Sequence, residues 1–230
     1  MLEKPTASLL NKRRLRPILT YVLVLGLLPS HLIAGSSLGV NILLDRTSGN
    51  GEKLIYGSAR PLFSQNDQEA FMTELEQTPP DWDMLHDHPG EEQGHRLFQF
   101  NRNRDKKRAG HPLLQQRVAF YWSGILRQYV DELKGFRVAI GPIHTQTSWG
   151  IVRFKPVNIP SEMVAIPTHK EMSDDLQERL TKGSEIDVVI LLTGRLVPDE
   201  SLMYAFSHEN SHQGMVLPFV RIDNIQYILQ

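Results

Sequence analysis

His208-Glu209-Asn210-Ser211-His212 is the first place in the chain where residue types and spacing could do chemistry. In an H-E-x-x-H pattern on a helix, the two histidines sit one turn apart and share a zinc ion. The glutamate between them polarises a metal-bound water for hydrolysis. The surroundings oppose a helix, because Asn210 and Ser211 are indifferent helix formers and Pro198, Gly214 and Pro218 bracket the segment. A ligand downstream of His212 could only be Asp223. A loop without metal is therefore expected, with His208 and His212 as metal ligands only under an alternative reading, a zinc-dependent hydrolase. His86, His88, His95 and His111 form a second set with ligand-like spacing, but Pro89-Gly90 and the acids around them point to an exposed loop. Ser148 and Ser207 lack the paired glycines of a nucleophile elbow, and no Gly-rich phosphate loop occurs. No catalytic set is supported, so the expectation is a non-enzyme without a cofactor.

Binding chemistry is more legible. In an extended segment, Trp149, Ile151, Arg153 and Lys155 fall on one face, while Val152 and Phe154 fall on the other. An aromatic followed by two cations at two-residue steps reads as a binding surface. The loop 198–214, carrying Tyr204, Phe206 and His208, is expected at the same end. The candidate binding residues are thus Trp149, Arg153, Lys155 and Tyr204.

These residues need a scaffold. Pro112 suits a first helical position, and Leu114, Val118, Tyr121, Trp122, Ile125, Tyr129 and Leu133 recur at three- and four-residue steps, which predicts one long amphipathic helix ending at Gly135. Strands are then expected over 136–143, 149–155 and 163–166, a helix over 170–182, and strands over 185–196 and 217–229. The alternation slips between Ile222 and Ile225, which predicts a bulge near Asp223-Asn224. The order strand, strand, strand, helix, strand, strand over residues 136–230 resembles an OB barrel in topology. The expected fold is α+β: a five-stranded OB-like barrel, or an open antiparallel sheet of the same order, packed by the long helix. Upstream, two short strands around Ser48-Gly49-Asn50-Gly51 and a Ser64-capped helix to about Gln77 precede a long irregular connection over 79–111. Charge reverses along that stretch. Nine acids and no Lys or Arg lie between Gln65 and Glu92, and then Arg96, Arg102, Arg104, Lys106, Lys107 and Arg108 follow. A solvated loop is expected there, with a basic patch beside Phe98 and Phe100 as the sharper option.

The N-terminus bears on location. Lys12, Arg13, Arg14 and Arg16 precede the apolar run Ile18–Leu28, and small residues follow at Ala34-Gly35-Ser36. These are the parts of a secretory signal, with cleavage expected after Ala34 or Ser36. If the run stays uncleaved in the bilayer, the chain is membrane-anchored, and membrane contact is through this segment alone. The expected organisation is a signal over 1–36, an extension over 37–111 and a helix plus β-rich domain over 112–230, exported to the periplasm or the extracellular space.

Composition agrees with a folded domain: 230 residues, 40% apolar and 22% charged, with a net charge of −1. Residues 1–34 hold five basic groups and one acid, so the remainder carries 20 basic and 25 acidic groups. Specific nucleic-acid binding is not expected of such a body. The absence of cysteine excludes disulfides and thiolate chemistry. The function expected is a non-catalytic envelope or secreted binding module whose partner is an envelope protein or an extracellular ligand.

Overall fold

Arg117–Val130, expected to be helical, is a fourteen-residue β-strand (β3) in the computed structural model, which describes residues 41–45, 58–87, 91–207 and 213–230. Of the expected helix only Pro112–Gln115 is helical, as a 3-10 turn that His111 caps by accepting from the Leu113 N–H. The reason lies in composition and pairing. RVAFYWSGILRQYV is rich in β-branched and aromatic residues, and the strand is bonded on both sides, to β4 (Gly135–Pro142) and β9 (Asp187–Leu196). Its buried Val118, Phe120, Gly124 and Leu126 alternate at period two. The three- and four-residue steps arise because this central strand has apolar side chains on both faces.

The remaining strands are β1 (Ile42–Asp45), β2 (Arg60–Pro61), β5 (Thr145–Thr147), β6 (Gly150–Val152), β7 (Lys155–Val157), β8 (Val164–Pro167), β10 (Leu202–Phe206) and β11 (Gly214–Leu229). They join the others in one eleven-stranded sheet with the path β1-β8-β4-β3-β9-β11-β6-β5. From this path β2 branches off β3, while β7 and β10 branch off β11. This overturns the five-stranded OB-like barrel and the open antiparallel alternative. From Gly135 to the helix Lys170–Thr181 lie five strands, β4 to β8, rather than three, and β1, β6 and β7 all pair in parallel with β11. The helix expected to pack the sheet is itself a central strand of it. The segments 136–143 and 149–155 do not pair with each other: β4 pairs with β3 and β8, while β6 forms a hairpin with β5.

The connection 79–111, expected to be irregular, carries two helices. Helices α1 (Gln65–Glu76), α2 (Trp82–His86) and α3 (Glu91–Arg108) precede the sheet's long strands, and α4 is Lys170–Thr181. Ser64 caps α1 in a reciprocal box with Asp67. Helix α3 escapes an apolar-stripe reading because its inner side is largely polar: Asn101, Arg104 and Arg108 face inward along with Leu97 and Phe100. Trp82 of α2 closes against β11 at Gly214, where an added Cβ would lie 1.9 Å from the Trp82 ring.

One face of the sheet carries the main core, with Leu43, Phe120, Leu126, Phe136, Ile190, Leu192, Val220, Ile225 and Tyr227 all at most 1% exposed. A smaller cluster of Ala59, Ala119 and Leu191 lies on the other face, where Phe63 stacks on Tyr121 at 4.1 Å. No helix among the described residues is long and apolar enough to cross a membrane, which corrects the membrane-anchored expectation for these residues. The apolar run of 1–36, the turn at 48–51 and His208–His212 all lie outside the described residues.

Candidate binding surface

The site begins at a β-bulge. The register of β11 against β9 shifts between Ile222 and Asn224, so Asp223 and Asn224 both lie between the buried Ile222 and Ile225. Two features fix this irregularity. The Asn158 side chain bonds both backbone groups of Ile222, donating to its carbonyl at 3.0 Å and accepting from its N–H at 3.0 Å. Opposite the bulge stands Gly194, where an added Cβ would lie only 2.1 Å from the Arg221 carbonyl oxygen. The close approach of the two strands therefore requires glycine.

Arginines surround the bulge. Arg117 on β3 is the register partner of Arg195 on β9, and Arg195 is in turn the partner of Arg221 on β11. Three guanidinium side chains thus start from one row across three neighbouring strands, about 4.8 Å apart from strand to strand. Asp223 serves one end of the row. Arg117 grips it with two donors, Nε at 2.9 Å and Nη2 at 2.6 Å, and Nη2 also donates to Thr193 Oγ1 at 3.2 Å. The hydrogen bond from Arg117 to Asp223 raises the guanidinium pKa above its already high ordinary value. Arg195 stands off at 3.8 Å from Asp223 and is 55% exposed, with its Nε directed to the Gln115 carbonyl. Arg221 is exposed and has no ion-pair partner among the described residues. Alongside, Lys155 on β7 is exposed and places its ammonium 4.8 Å from the Phe219 ring centroid. Asp199 and Glu200 sit on the turn that follows β9.

The four residues expected to bind separate into two environments. Trp149 and Tyr204 are each only 1% exposed and belong to the core. Trp149 lies under Arg104, its carbonyl accepting from Trp82 Nε1 at 2.9 Å. Tyr204 donates its hydroxyl to Glu76 Oε2 at 2.7 Å. Glu76 also takes Arg104 and Arg108, and Arg108 reaches the Leu202 carbonyl at 2.6 Å. Burial, and then the Glu76 charge, push the Tyr204 phenol well above its ordinary range. Arg153, half-buried, and Lys155, exposed, reach the surface, while Val152 and Phe154 are buried. Alternation thus holds for 152–155 and ends at Trp149, which sits in the β5–β6 turn.

Sequence reading missed the arginine row because its members come from three strands distant in the chain. The predicted bulge at Asp223 was the one available signal. The histidine set does not converge: His111 caps a turn, His86 packs edge-on to Phe206 at 5.7 Å, and His88 lies outside the described residues. Among the described residues no three metal-binding side chains come together; His208, Glu209 and His212, on which the hydrolase reading rests, lie outside the described residues.

No protein-family model matches this chain, and comparison with curated proteins and with solved structures likewise finds no match.

Proposed function

We propose that the protein is an exported, non-catalytic module that binds an anionic partner, an envelope protein or an extracellular ligand, on the surface formed by Arg117, Arg195, Arg221 and Lys155. The observation that carries this reading is the register of the three arginines. Like charges directly opposite one another on adjacent strands cost stability, and one carboxylate, Asp223, stands among them on the same surface. Arg195 and Arg221 keep donors available, and a guanidinium offers a planar fork suited to carboxylate or phosphate oxygens. Export rests on the basic, apolar and small-residue segments of 1–36.

Retention of the purified protein on immobilised polyglutamate and on heparin, followed across a salt gradient, tests the surface. Arg195→Glu with Arg221→Glu should abolish retention and leave the melting temperature within a few degrees. Equal reversal of Arg102 and Lys106 on α3, which are also exposed, should change retention little. Unchanged elution of the Arg195/Arg221 variant would remove this surface from consideration. Export is read separately, by fusing residues 1–60 to a reporter active only outside the cytoplasm.

A further inference from the structure

A second site lies at the opposite end of β3. A cavity of about 480 Å³, within the roughly 300–1,000 Å³ range of ligand sites, opens between the end of β3, the C-terminal turn of α4 and the segment leading into β9. Its lining includes Leu126, Arg127, Gln128, Tyr129, Leu180 and Glu185. The strand register explains why it exists. Ile125 is the partner of Asp187, and the Leu126 N–H still donates to the Ile186 carbonyl at 2.9 Å. One step further, the same register would set Arg127 opposite Glu185. Instead β3 shifts register against β4 between Leu126 and Tyr129, and such a bulge bends the strand that carries it. The cavity lies where the pair would have formed. Arg127 and the adjacent Gln128 are both exposed there, and neither Arg127 nor Glu185 forms an ion pair among the described residues.

We propose that this cavity binds an apolar α-amino acid in its zwitterionic form. Arg127 receives the carboxylate through its guanidinium fork. The ammonium lies toward Glu185, beside the C-terminal end of α4, where the helix dipole favours positive charge. The other cations of that end are already countered, Arg179 by Asp175 and Lys182 by Glu178. The half-buried Leu180 and Tyr129 supply an apolar surface for the ligand's side chain. This site is separate from the arginine row and does not depend on it.

Titration of leucine, leucinamide and N-acetylleucine into the isotope-labelled protein, followed by amide NMR shifts, tests the proposal. Leucine should shift residues 126–129 and 177–185, and each derivative, having lost one charge, should bind at least about tenfold more weakly. Arg127→Gln should weaken leucine about tenfold while leaving the residual affinity for leucinamide unchanged. Glu185→Gln should do the same to leucine while sparing N-acetylleucine. Both positions are exposed, so these variants are expected to fold. Absence of shifts with leucine, shifts outside the two segments, or equal binding of either derivative would overturn the assignment, as would stronger shifts from a neutral sugar such as maltose.

Discussion

Glu76 gathers two arginines and a phenol, accepting from Arg104, Arg108 and Tyr204 while its side chain is only 3% exposed. Breaking a buried ion pair from one side leaves an uncompensated charge, at a cost of about 3–5 kcal/mol. Glu76→Gln should therefore lower stability by that amount in urea melts. Tyr204→Phe, which removes one donor from a charged acceptor, should cost about 1–2 kcal/mol. Equal small losses for both would show that the arginines find other acceptors, such as Asp105 for Arg108. Glu69 behaves differently. Its carboxylate accepts from the Ser148 backbone N–H at 2.6 Å and from Gln65 at 3.0 Å, and the Ser148 bond is the main cause holding its pKa below the usual value. A depressed carboxylate contributes stability that is present above its unfolded pKa and lost as pH falls through the folded one. Glu69→Gln should accordingly cost about 1 kcal/mol near neutral pH and progressively less below the carboxylate range.

The strand β3 is where residue pattern and element diverge, and mutation separates the two readings. Phe120 and Leu126 lie off the stripe that a helix would bury, yet both are 1% exposed in the sheet. Phe120→Ala should cost about 3–5 kcal/mol and Leu126→Ala about 2–5 kcal/mol. Ser123→Ala, at an exposed strand position, should stay within about 1 kcal/mol. Near-wild-type melting of Phe120→Ala would restore the helical assignment. The contrast explains what the sequence could disclose. Helices α1 and α4 were legible because their caps, Ser64 and the stop at Gly183, are local. The strand β9 was legible from its nearly continuous apolar run, and β11 with the bulge near Asp223 from alternation and its slip. Helix α3 was not, because its inner arginines become core residues only once Glu76 has been brought to them from α1. The arginine row was hidden for the same reason: residues 117, 195 and 221 become neighbours through strand pairing alone. The candidates Trp149 and Tyr204 were drawn from the chemistry of the surface but serve the interior.

Across the whole molecule, the short strand β1 ties the start of the described chain to its end. It is hydrogen-bonded on both sides, in parallel with β8 and with β11, and pairs Leu43 with Tyr227 and Asp45 with Leu229. Leu43 and Tyr227 are both fully buried. Removing β1 would therefore expose an edge on each neighbour as well as apolar core, a combination that lowers stability and invites strand-to-strand association. This places a limit on where the proposed export signal can be cut. Processing after Ala34 or Ser36 leaves β1 whole, whereas a cut a dozen residues later would destroy it. A chain beginning at residue 37 should melt as a single cooperative unit. A chain beginning at residue 47 should lose at least about 3 kcal/mol and elute partly as higher-mass species in size-exclusion chromatography. Identical melting of the two would show that β1 is dispensable. The N-terminal residue of protein recovered after export should then fall before Ile42, and recovery of a product starting beyond Asp45 would contradict both the cleavage expectation and the structural need for this strand.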